Sequence, residues 1–517
     1  MMRNLLYKRF FFRIICIGVS VICPLKGFVA DDILDRYSRC GLIDIEVQSS
    51  SQNCIQDGRL YYDALVKKSA RRRWAVPVTV NYSFGNNAFD CAGHDTDFAT
   101  GLLGGSFTVG DVSLFCKLSA ENKVRIINKP ALGFDRGGIP ITNGAPFGAY
   151  RDDLVSTLVA PIQIGFGGDR QIFECDVTGL YRWWFGPEDQ FMLTTGITLP
   201  FKSIKYGFNP SFVGGSLYRD AFTAGQTKRE DTAKQFFREY SSIEDFFIRG
   251  VLGKKNITFN KNTQQSGIGD ITLFSLIDCA QCFPKAVQLM QAGVALIVPS
   301  GGSINQNILF PATLGQGCFA ADLFVNMIFN SSLQAFNPFI RGALEISAPF
   351  AFSNGGVRVP LLVTQDQTRV IVKNVSGLKT IDLRLQNFED YWVDSFSEYD
   401  TTIPALSDNT VRALSVRQGT QFVLGFGNYS YNIAYTKARL ALLYSYMYRQ
   451  ANSVGGGVVG VDTGSLTQNS SAQSHMVSWS LSWPGKIVDC FVGSEHVFAG
   501  KNVVRNNRLF IVCSATF

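Results

Sequence analysis

The stretch Leu509-Phe510-Ile511-Val512-Cys513-Ser514-Ala515-Thr516-Phe517 lies at the end of the sequence and decides how we interpret the rest. Alternate side chains of an extended strand point to opposite faces. One face would carry only apolar side chains, those of Leu509, Ile511, Cys513, Ala515 and Phe517, whereas Ser514 and Thr516 lie on the other. This pattern is typical of a strand that crosses a membrane, with lipid on one side and a polar lumen on the other.

The final strand ends on an aromatic residue, and in this it resembles the C-terminal recognition strand of Gram-negative outer-membrane β-barrel proteins. The resemblance implies that Phe517 is an assembly signal, recognised by the assembly machinery of the outer membrane. A soluble β-sandwich can also end on a strand. The interpretation therefore requires an export signal and many more strands of the same kind.

The composition favours strands with a single apolar face. Charged residues make up 17% of the 517 residues, against roughly 25% in ordinary globular chains. The mean hydropathy is +0.09, yet beyond the N-terminal segment no apolar run approaches the ~18 residues of a transmembrane helix. Much of the net charge of +7 lies in the first thirty residues, so the remainder gives no reason to expect a nucleic-acid partner.

The N-terminal segment has the features of a secretory signal peptide. Positive residues precede a short apolar run at 14–25, and Ala30 is followed by acidic residues, which predicts a signal peptide over 1–30. An uncleaved signal anchor is the less favoured alternative, because the apolar run is short. We expect 31–75 to form a periplasmic or plug-like segment, in which Cys40 and Cys54 are candidates for a disulfide in an oxidising compartment.

The region 76–517 carries repeated apolar and polar alternation. Phe173, Cys175 and Val177, for example, alternate with Glu174 and Asp176, and carboxylates are costly in a dry core but not in a wet lumen. The candidate strands are 76–84, 108–118, 157–166, 173–178, 191–199, 271–277, 290–298, 321–329, 340–348, 420–426, 440–448, 474–483, 487–493 and 509–517. This pattern predicts an all-β fold, a transmembrane antiparallel β-barrel of about 14 strands, with 12 to 16 open.

The polar positions of these strands are candidates for lining the lumen. The charged residues among them are Asp111, Glu174, Asp176, Asp322, Arg341, Glu345 and Arg439. Aromatic residues near strand ends, such as Trp183, Trp479 and Trp483, would form girdles at the membrane surfaces. The alternative is ordinary cross-strand packing of aromatic side chains.

One short motif, at 267–270, resembles that of a particular group of outer-membrane barrels. Gly267-Ile268-Gly269-Asp270 opens a candidate strand and a Pro-Gly-rich turn at 299–302 closes the next one. These stretches resemble strands of outer-membrane transporters for fatty acids and aromatic hydrocarbons, in which Gly-(Leu/Ile)-Gly-Asp opens a strand. The resemblance covers 267–302 together with the terminal strand, and it supports the barrel rather than a particular substrate.

Two long loops interrupt the strands, at about 203–266 and 353–412. Within the first, 231–250 shows apolar residues at helical spacing, and we expect an amphipathic helix there. Its apolar face comprises Phe236, Phe237, Tyr240, Ile243 and Phe247. This helix would be a constriction or plug in the lumen or a lid over one mouth; the alternative is a helix packed on neighbouring loops.

The sequence lacks the motifs of enzymes. It has three histidines, and no HExxH, GxSxG or phosphate-binding glycine loop is present. We therefore predict no catalytic residue, no metal, no cofactor and no enzymatic activity. Cys279 and Cys282 form a lone CxxC, which favours a loop disulfide or two unpaired thiols over a metal site.

The predicted function is passive or gated passage of small solutes through the lumen of an outer-membrane barrel. The expected partners are the lipid bilayer, the assembly machinery of the outer membrane and the solutes. The sequence is compatible with either a monomer or a homo-oligomer. The alternative function is a non-transporting surface or structural protein with adhesin-like loops. A secreted soluble β-protein is a third alternative, which partitioning with membranes would distinguish.

Overall fold

The structure is a computed structural model. It describes residues 74–102, 107–108, 124–128, 163–186, 191–213, 242–252, 258–279, 287–303, 305, 307–329, 336–350, 357–358, 361–363, 391–396, 401–403, 410–411, 414–429, 438–456, 467, 470–483 and 488–516. All of these residues belong to one compact unit, 33–517.

Twelve antiparallel strands close into a barrel. In chain order they are β1 (Trp74–Phe89), β2 (Gln163–Phe185), β3 (Phe191–Val213), β4 (Ile271–Asp278), β5 (Val287–Val298), β6 (Ala320–Phe329), β7 (Asn337–Ser347), β8 (Gln421–Tyr429), β9 (Arg439–Arg449), β10 (Ala472–Trp483), β11 (Val488–Lys501) and β12 (Val503–Thr516). Each strand pairs with the next, and β12 pairs with β1 from Ala75 opposite Thr516 to Phe89 opposite Val503. Closure satisfies both edges of the sheet, so the last strand completes the wall against the first.

The ring has twelve strands, which lies within the predicted range of 12 to 16. The difference from the central value of about 14 has two sources. The described part of the candidate strand 157–166, which begins at Gln163, and the candidate strand 173–178 belong to one strand, β2, which runs without interruption through Gln163–Phe185. Of the candidate strand 108–118, only Thr108 is described; it belongs to the short strand Phe107–Thr108, which pairs with β2 outside the ring. β3 also continues to Val213, into the range that we predicted as the loop 203–266.

Apolar side chains cover the outside of the barrel. Phe173 on β2 is 49% exposed and Ile511 on β12 is 53% exposed. The residues before and after each of them in the strand are buried. The other large apolar side chains exposed on the twelve strands include Tyr82, Phe84, Ile197, Leu199, Phe201, Leu273, Val294, Leu296, Leu323, Ile340, Phe426, Leu442, Val477, Trp479 and Leu509. Such a surface is stable against lipid and not against water.

The connections differ between the two ends of the barrel. At the end where β1 begins and β12 finishes, the strands are joined by 186–190, 279–286, 330–336, 430–438 and 484–487. We call this the turn end. At the opposite end, the loop end, the connections include 90–162, 214–270 and 348–420. Short turns on one side and long loops on the other are typical of outer-membrane barrels.

The outward face changes from apolar to polar within β2 and β3. Phe173 and Phe201 are exposed, whereas the next outward positions towards the loop end are Gln171 and Ser203, followed by Asp169 and Lys205. We call 163–172 and 202–213 the loop-end extension. It stands beyond the apolar band.

Aromatic side chains mark the turn end of the band. Trp74, Trp183, Phe185 and Trp483 lie at strand ends there and are exposed. The rings of Trp74 and Trp183 each contact Tyr181 edge-on, with centroids 4.6 Å apart.

The remaining described elements are short. The strands outside the ring are Asp95–Asp97, Phe107–Thr108, Val124–Asn128, Thr258–Phe259, Asn262–Ile268, Ile308–Leu309, Val357–Arg358, Leu361–Val363, Tyr391–Phe396, Thr401–Ile403, Thr410–Val411, Ser415–Arg417 and Ser453–Gly455. The helical segments are Phe98–Leu102, Ile243–Asp245 and a π-helical turn at Phe246–Leu252. None of the helices in the described part of the chain is long and apolar enough to span a membrane.

The expected helix over 231–250 is described only from Ser242 onwards. There an α-helical turn, Ile243–Asp245, passes directly into the π-helical segment Phe246–Leu252. Residues 231–241 lie outside the described residues, so the prediction of a helix is not confirmed.

Candidate constriction at the loop end of the barrel

A segment of the connection between β5 and β6 is buried at the loop end. Every residue from Leu309 to Cys318 is buried, whereas Phe319, which follows, is 52% exposed. We call 307–318 the inner loop. A connecting segment on the surface of a protein is normally solvated because its backbone polar groups need partners, so a buried loop requires specific contacts.

Asp270 supplies the first of these contacts. Its carboxylate accepts hydrogen bonds from the backbone N–H of Gly301, at 2.9 Å, and from the backbone N–H of Gln316. The two N–H groups belong to the beginning and the end of the same connection. One carboxylate therefore joins the beginning and the end of the connection 299–319, of which the inner loop is part.

A break in the sheet places Asp270 in this position. Asn262–Ile268 pairs with the loop-end extension of β3, and β4 pairs with the lower part of β3. The two segments follow the same edge and are separated only by Gly269 and Asp270, where Gly269 donates its N–H to the carbonyl of Pro200. An irregularity of this kind redirects a side chain, and here it directs Asp270 to the inner loop.

Gly315 is required by the close approach of the inner loop to Asp270. A Cβ at this position would lie 1.9 Å from Oδ1 of Asp270 and 2.4 Å from its Cγ. A Cβ at Gly301 would lie 2.5 Å from the nitrogen of Gly315. Neither position accommodates a side chain while the inner loop is in place.

The inner loop also contacts the inward faces of distant strands. The side chain of Gln316 donates from Nε2 to Oε1 of Glu345 on β7, at 3.1 Å. On the other side, Phe310 stacks on Phe208 of β3 with ring centroids 4.4 Å apart and contacts Phe166 of β2 edge-on at 5.6 Å. The inner loop thus extends across the mouth from β2 and β3 to β7.

Phe310 adopts an uncommon backbone conformation. Its φ is 60°, in the left-handed region that a bulky side chain rarely occupies, and it is 1% exposed. Such conformations persist only where the surrounding packing determines them. Here the stack on Phe208 provides that packing.

The pKa of Asp270 is raised. Burial is the largest cause, because it disfavours the carboxylate; the N–H bonds from Gln316 and Gly301 and the charge of Lys202 act in the opposite direction. Burial also raises the pKa of the Cys318 thiol to about 12, with the charges of Glu345 and Asp270 adding to the effect. Cys318 is therefore an unreactive thiol in the closed arrangement.

Below the inner loop, the lumen contains a chain of polar contacts. Arg508 on β12 donates to Oε2 of Glu495 on β11 and to Oδ1 of Asn81 on β1, each at 2.9 Å. Asn81 donates onward to Oε2 of Glu174 at 3.4 Å, and Lys202 on β3 lies 3.0 Å from Oε1 of the same carboxylate. Five neighbouring strands are thereby linked by charged and amide groups.

The opposite wall carries a second polar set. The buried polar side chains of β6, β7 and β9 are Asp322, Asn326, Asn337, Arg341, Glu345, Ser347, Ser445 and Arg449. An apolar cluster that includes Leu180, Phe274, Phe324 and Val423 fills part of the interior beside them. Twelve strands enclose a space between the filled interior of an eight-stranded barrel and the open channel of a large porin, and these side chains occupy much of it.

The structure places most predicted lumen residues on the buried face of the wall. These are Glu174, Asp176, Asp322, Arg341 and Glu345, each of which is at most 4% exposed. Arg439 is the first residue of β9, but its side chain is not described, and Asp111 lies outside the described residues. Their role in selecting solutes stays a prediction.

The predicted constriction helix contributes one described side chain to the loop end. Phe247 is buried and its ring lies 5.8 Å from that of Phe166 and 6.3 Å from that of Phe212. Ile243 lies in the first short turn, with its side chain not described. Phe236, Phe237 and Tyr240 lie outside the described residues, as do Phe517, Cys40 and Cys54.

The inner loop itself was missed at the level of sequence. Its signals were the glycines of Gly315-Gln316-Gly317 after Pro311, and the motif ending in Asp270. The described residues contain no group of three or more His, Cys, Asp or Glu side chains that could hold a metal ion.

Comparison with known proteins gives likeness of fold only. No family model matches the sequence, and no curated protein is similar to it. Among solved structures, an outer-membrane channel from Pseudomonas putida F1 is 9% identical, covering 86% of this chain and 96% of that one with a TM-score of 0.42. The translocator domain of the autotransporter NalP from Neisseria meningitidis is 8% identical (91% and 97% covered, TM-score 0.31), and a FadL homologue from Pseudomonas aeruginosa is 10% identical (86% and 90% covered, TM-score 0.25).

The geometry itself decides the architecture, through the closed ring, the apolar outer surface and the unequal ends. The chain is an outer-membrane-type β-barrel. The distinctive features of this barrel are the loop-end extension and the inner loop held by Asp270.

Proposed function

We propose that this barrel resides in the outer membrane and allows small solutes to pass through its lumen, with the inner loop as a gate. The observation that carries the proposal is the burial of 309–318 in the mouth, with Gln316 anchored by Asp270. Apart from the pairing of Ile308–Leu309 with Thr258–Phe259, its described contacts are made by side chains and single hydrogen bonds. It can therefore move without breaking the ladders of the wall.

The location is supported by the outer surface of the wall. An apolar band faces outwards, bounded by aromatic side chains at the turn end and by the polar positions of the loop-end extension. Such a surface needs a bilayer as its partner. The assembly machinery is the second proposed partner, acting on the terminal strand β12.

The character of the lumen supports small polar solutes with a weak preference between ions. Glu174, Asp176, Glu345 and Glu495 face the interior together with Lys202, Arg341, Arg449 and Arg508. Positive and negative side chains are both present along the described walls of the lumen. Selection would follow from local contacts and width rather than from one dominant charge.

The test is single-channel conductance of the purified protein in a planar bilayer. Asp270→Ala removes the hydrogen bonds from Gly301 and from Gln316 of the inner loop. It leaves two N–H groups without an acceptor, each costing about 1–3 kcal/mol if they stay buried. We expect brief or rare conductance steps in the wild type and more frequent openings in Asp270→Ala. Asp169→Ala, which changes an exposed carboxylate on the outer face of β2, is the matched control and should behave as the wild type.

The outcome also separates the two classes of function. Conductance without any difference between the three proteins would show a pore in which the inner loop is not the gate. Silence of all three, with the barrels shown to be folded by their resistance to unfolding in detergent, would contradict solute passage and favour the surface or structural alternative.

A further inference from the structure

Arg170 lies on the inward face of β2 in the loop-end extension. It is opposite Tyr206 of β3 on one side and Gly85 of β1 on the other. Its side chain is 1% exposed, and it is among the largest fully buried side chains of the described residues.

The guanidinium of Arg170 has no hydrogen-bond partner among the described residues. All three of its nitrogens, Nε, Nη1 and Nη2, are buried without a hydrogen bond. Arg508, which is buried to the same degree, donates instead to Glu495 and Asn81. Arg170 therefore differs from the arginine of the lumen network.

No described carboxylate on the same face is available to neutralise it nearby. The next inward carboxylate of β2 is Glu174, four residues further and so roughly 13 Å along the strand, and it is already paired with Lys202 at 3.0 Å. The inward residue between them is Ile172, opposite Ile204. The guanidinium is thus separated from the charged network by apolar side chains.

The surroundings of Arg170 on the loop side are aromatic. Tyr206 and Phe208 lie 5.7 Å apart by their ring centroids, and Phe98 contacts both, at 5.8 and 6.3 Å. Phe310 of the inner loop covers Phe208. These rings provide apolar contact area but no negative charge.

A guanidinium stays protonated at every physiological pH, and a buried charge without a partner is strongly unfavourable. An anion would supply both the missing opposite charge and the missing hydrogen-bond acceptors. The planar fork of arginine donors matches the two oxygens of a carboxylate, and the neighbouring rings suit an apolar or aromatic group attached to it.

We propose that Arg170 is the binding residue for the carboxylate of a small aromatic or apolar solute at the mouth of the barrel. That the bound molecule is a transported solute rests on the proposed function, whereas the binding of a carboxylate by Arg170 does not require a pore. An inorganic anion would form the same charge-assisted hydrogen bonds with the guanidinium as a carboxylate does, and the experiment distinguishes these two kinds of ligand.

The experiment measures thermal unfolding of the purified protein in detergent, with ionic strength held constant by a bulky sulfonate. Benzoate, benzyl alcohol, acetate and chloride are added separately. Benzoate should raise the unfolding temperature of the wild type in a saturable way, more than acetate does, and neither benzyl alcohol nor chloride should reproduce the shift. Arg170→Met should lose the response to benzoate, and Arg170→Lys, which keeps the charge but not the fork, should weaken it.

Arg505→Met is the matched control. Arg505 is a partly exposed arginine that donates to Asp95 at 2.6 Å, and its removal should leave the response to benzoate intact. If Arg170→Met fails to fold, titration calorimetry of benzoate and chloride into the wild type and Arg170→Lys decides the question. Equal responses to chloride and benzoate would overturn the carboxylate assignment in favour of an inorganic anion site, and an absence of response in the wild type would overturn the proposal altogether. Because binding is read from unfolding, a silent bilayer recording would refute the passage without touching this result.

Discussion

Replacing Gly315 with alanine should open the mouth while leaving the wall intact. The added Cβ would lie 1.9 Å from Oδ1 of Asp270, far inside van der Waals contact, and the carboxylate cannot withdraw without losing its bonds to Gly301 and Gln316. Overpacking of a well-packed site costs about 1–3 kcal/mol. Since Gly315 belongs to no strand of the ring, the cost falls on the closed arrangement alone. It corresponds to an increase of roughly 5- to 150-fold in the ratio of open to closed states.

The assay is the open probability of single channels at fixed voltage, measured beside the unfolding temperature. Gly342→Ala is the control, because a Cβ at Gly342 on β7 has no atom within 4 Å. We expect Gly315→Ala to raise the open probability at an unchanged unfolding temperature of the barrel, and Gly342→Ala to change neither. An open probability equal to that of the wild type in Gly315→Ala would refute the assignment of the inner loop as the gate.

Three further predictions concern pH, the lumen network and two thiols. The pKa of Asp270 is raised in the closed form, and it should return towards its ordinary value once the inner loop leaves and water reaches the carboxyl. The closed form therefore binds the proton more tightly than the open form. The open probability should fall as the pH falls through the raised pKa, and Asp270→Ala should lose this dependence. Arg508→Gln breaks a buried ion pair and should lower the free energy of unfolding by about 3–5 kcal/mol, whereas Arg505→Gln, which breaks an exposed pair, should lower it by about 1 kcal/mol or less; thermal unfolding in detergent measures both. The sulfurs of Cys490 and Cys513 lie 3.2 Å apart at directly opposite positions of β11 and β12, so mild oxidation should join them, as protection from alkylation will show; full alkylation after oxidation would contradict this register.

The strands of the wall could be predicted because their signal is local. Alternation of apolar and polar side chains depends only on neighbouring residues, and each of the twelve ring strands overlaps a stretch identified by it. The central value of about 14 strands lies above the observed twelve, within the predicted range of 12 to 16, partly because the polar and glycine-containing part of β2, at Gly167 to Gln171, looks like a turn in sequence. In the structure these residues stay in the strand, since they pair with β3 beyond the apolar band.

The site was less predictable because its contacts join residues far apart in sequence. Asp270 was part of a motif noted for its strand, yet its partners Gly301 and Gln316 are fixed only once the connection folds inwards. Phe310 offers no local signal for a stack on Phe208. The aromatic spacing at 231–250 pointed to the loop end, where Phe247 does pack, but sequence could not show that a different segment crosses the mouth.

The height of the loop-end extension changes where a solute first meets this protein. At roughly 3.3 Å per residue and a tilt of about 40°, the part of β3 beyond Phe201 raises the rim by about 30 Å, comparable with the hydrocarbon thickness of a bilayer. Arg170 belongs to this raised rim, as does Phe208, on which Phe310 of the inner loop stacks. The proposed recognition of a solute by Arg170 would therefore take place in the surrounding water, before the level of the lipid. A solute would then reach the binding site by diffusion from the surrounding water, and for charged solutes the rate would depend on the salt concentration of the medium. The lipid composition would influence only the part of the barrel wall that lies in the membrane.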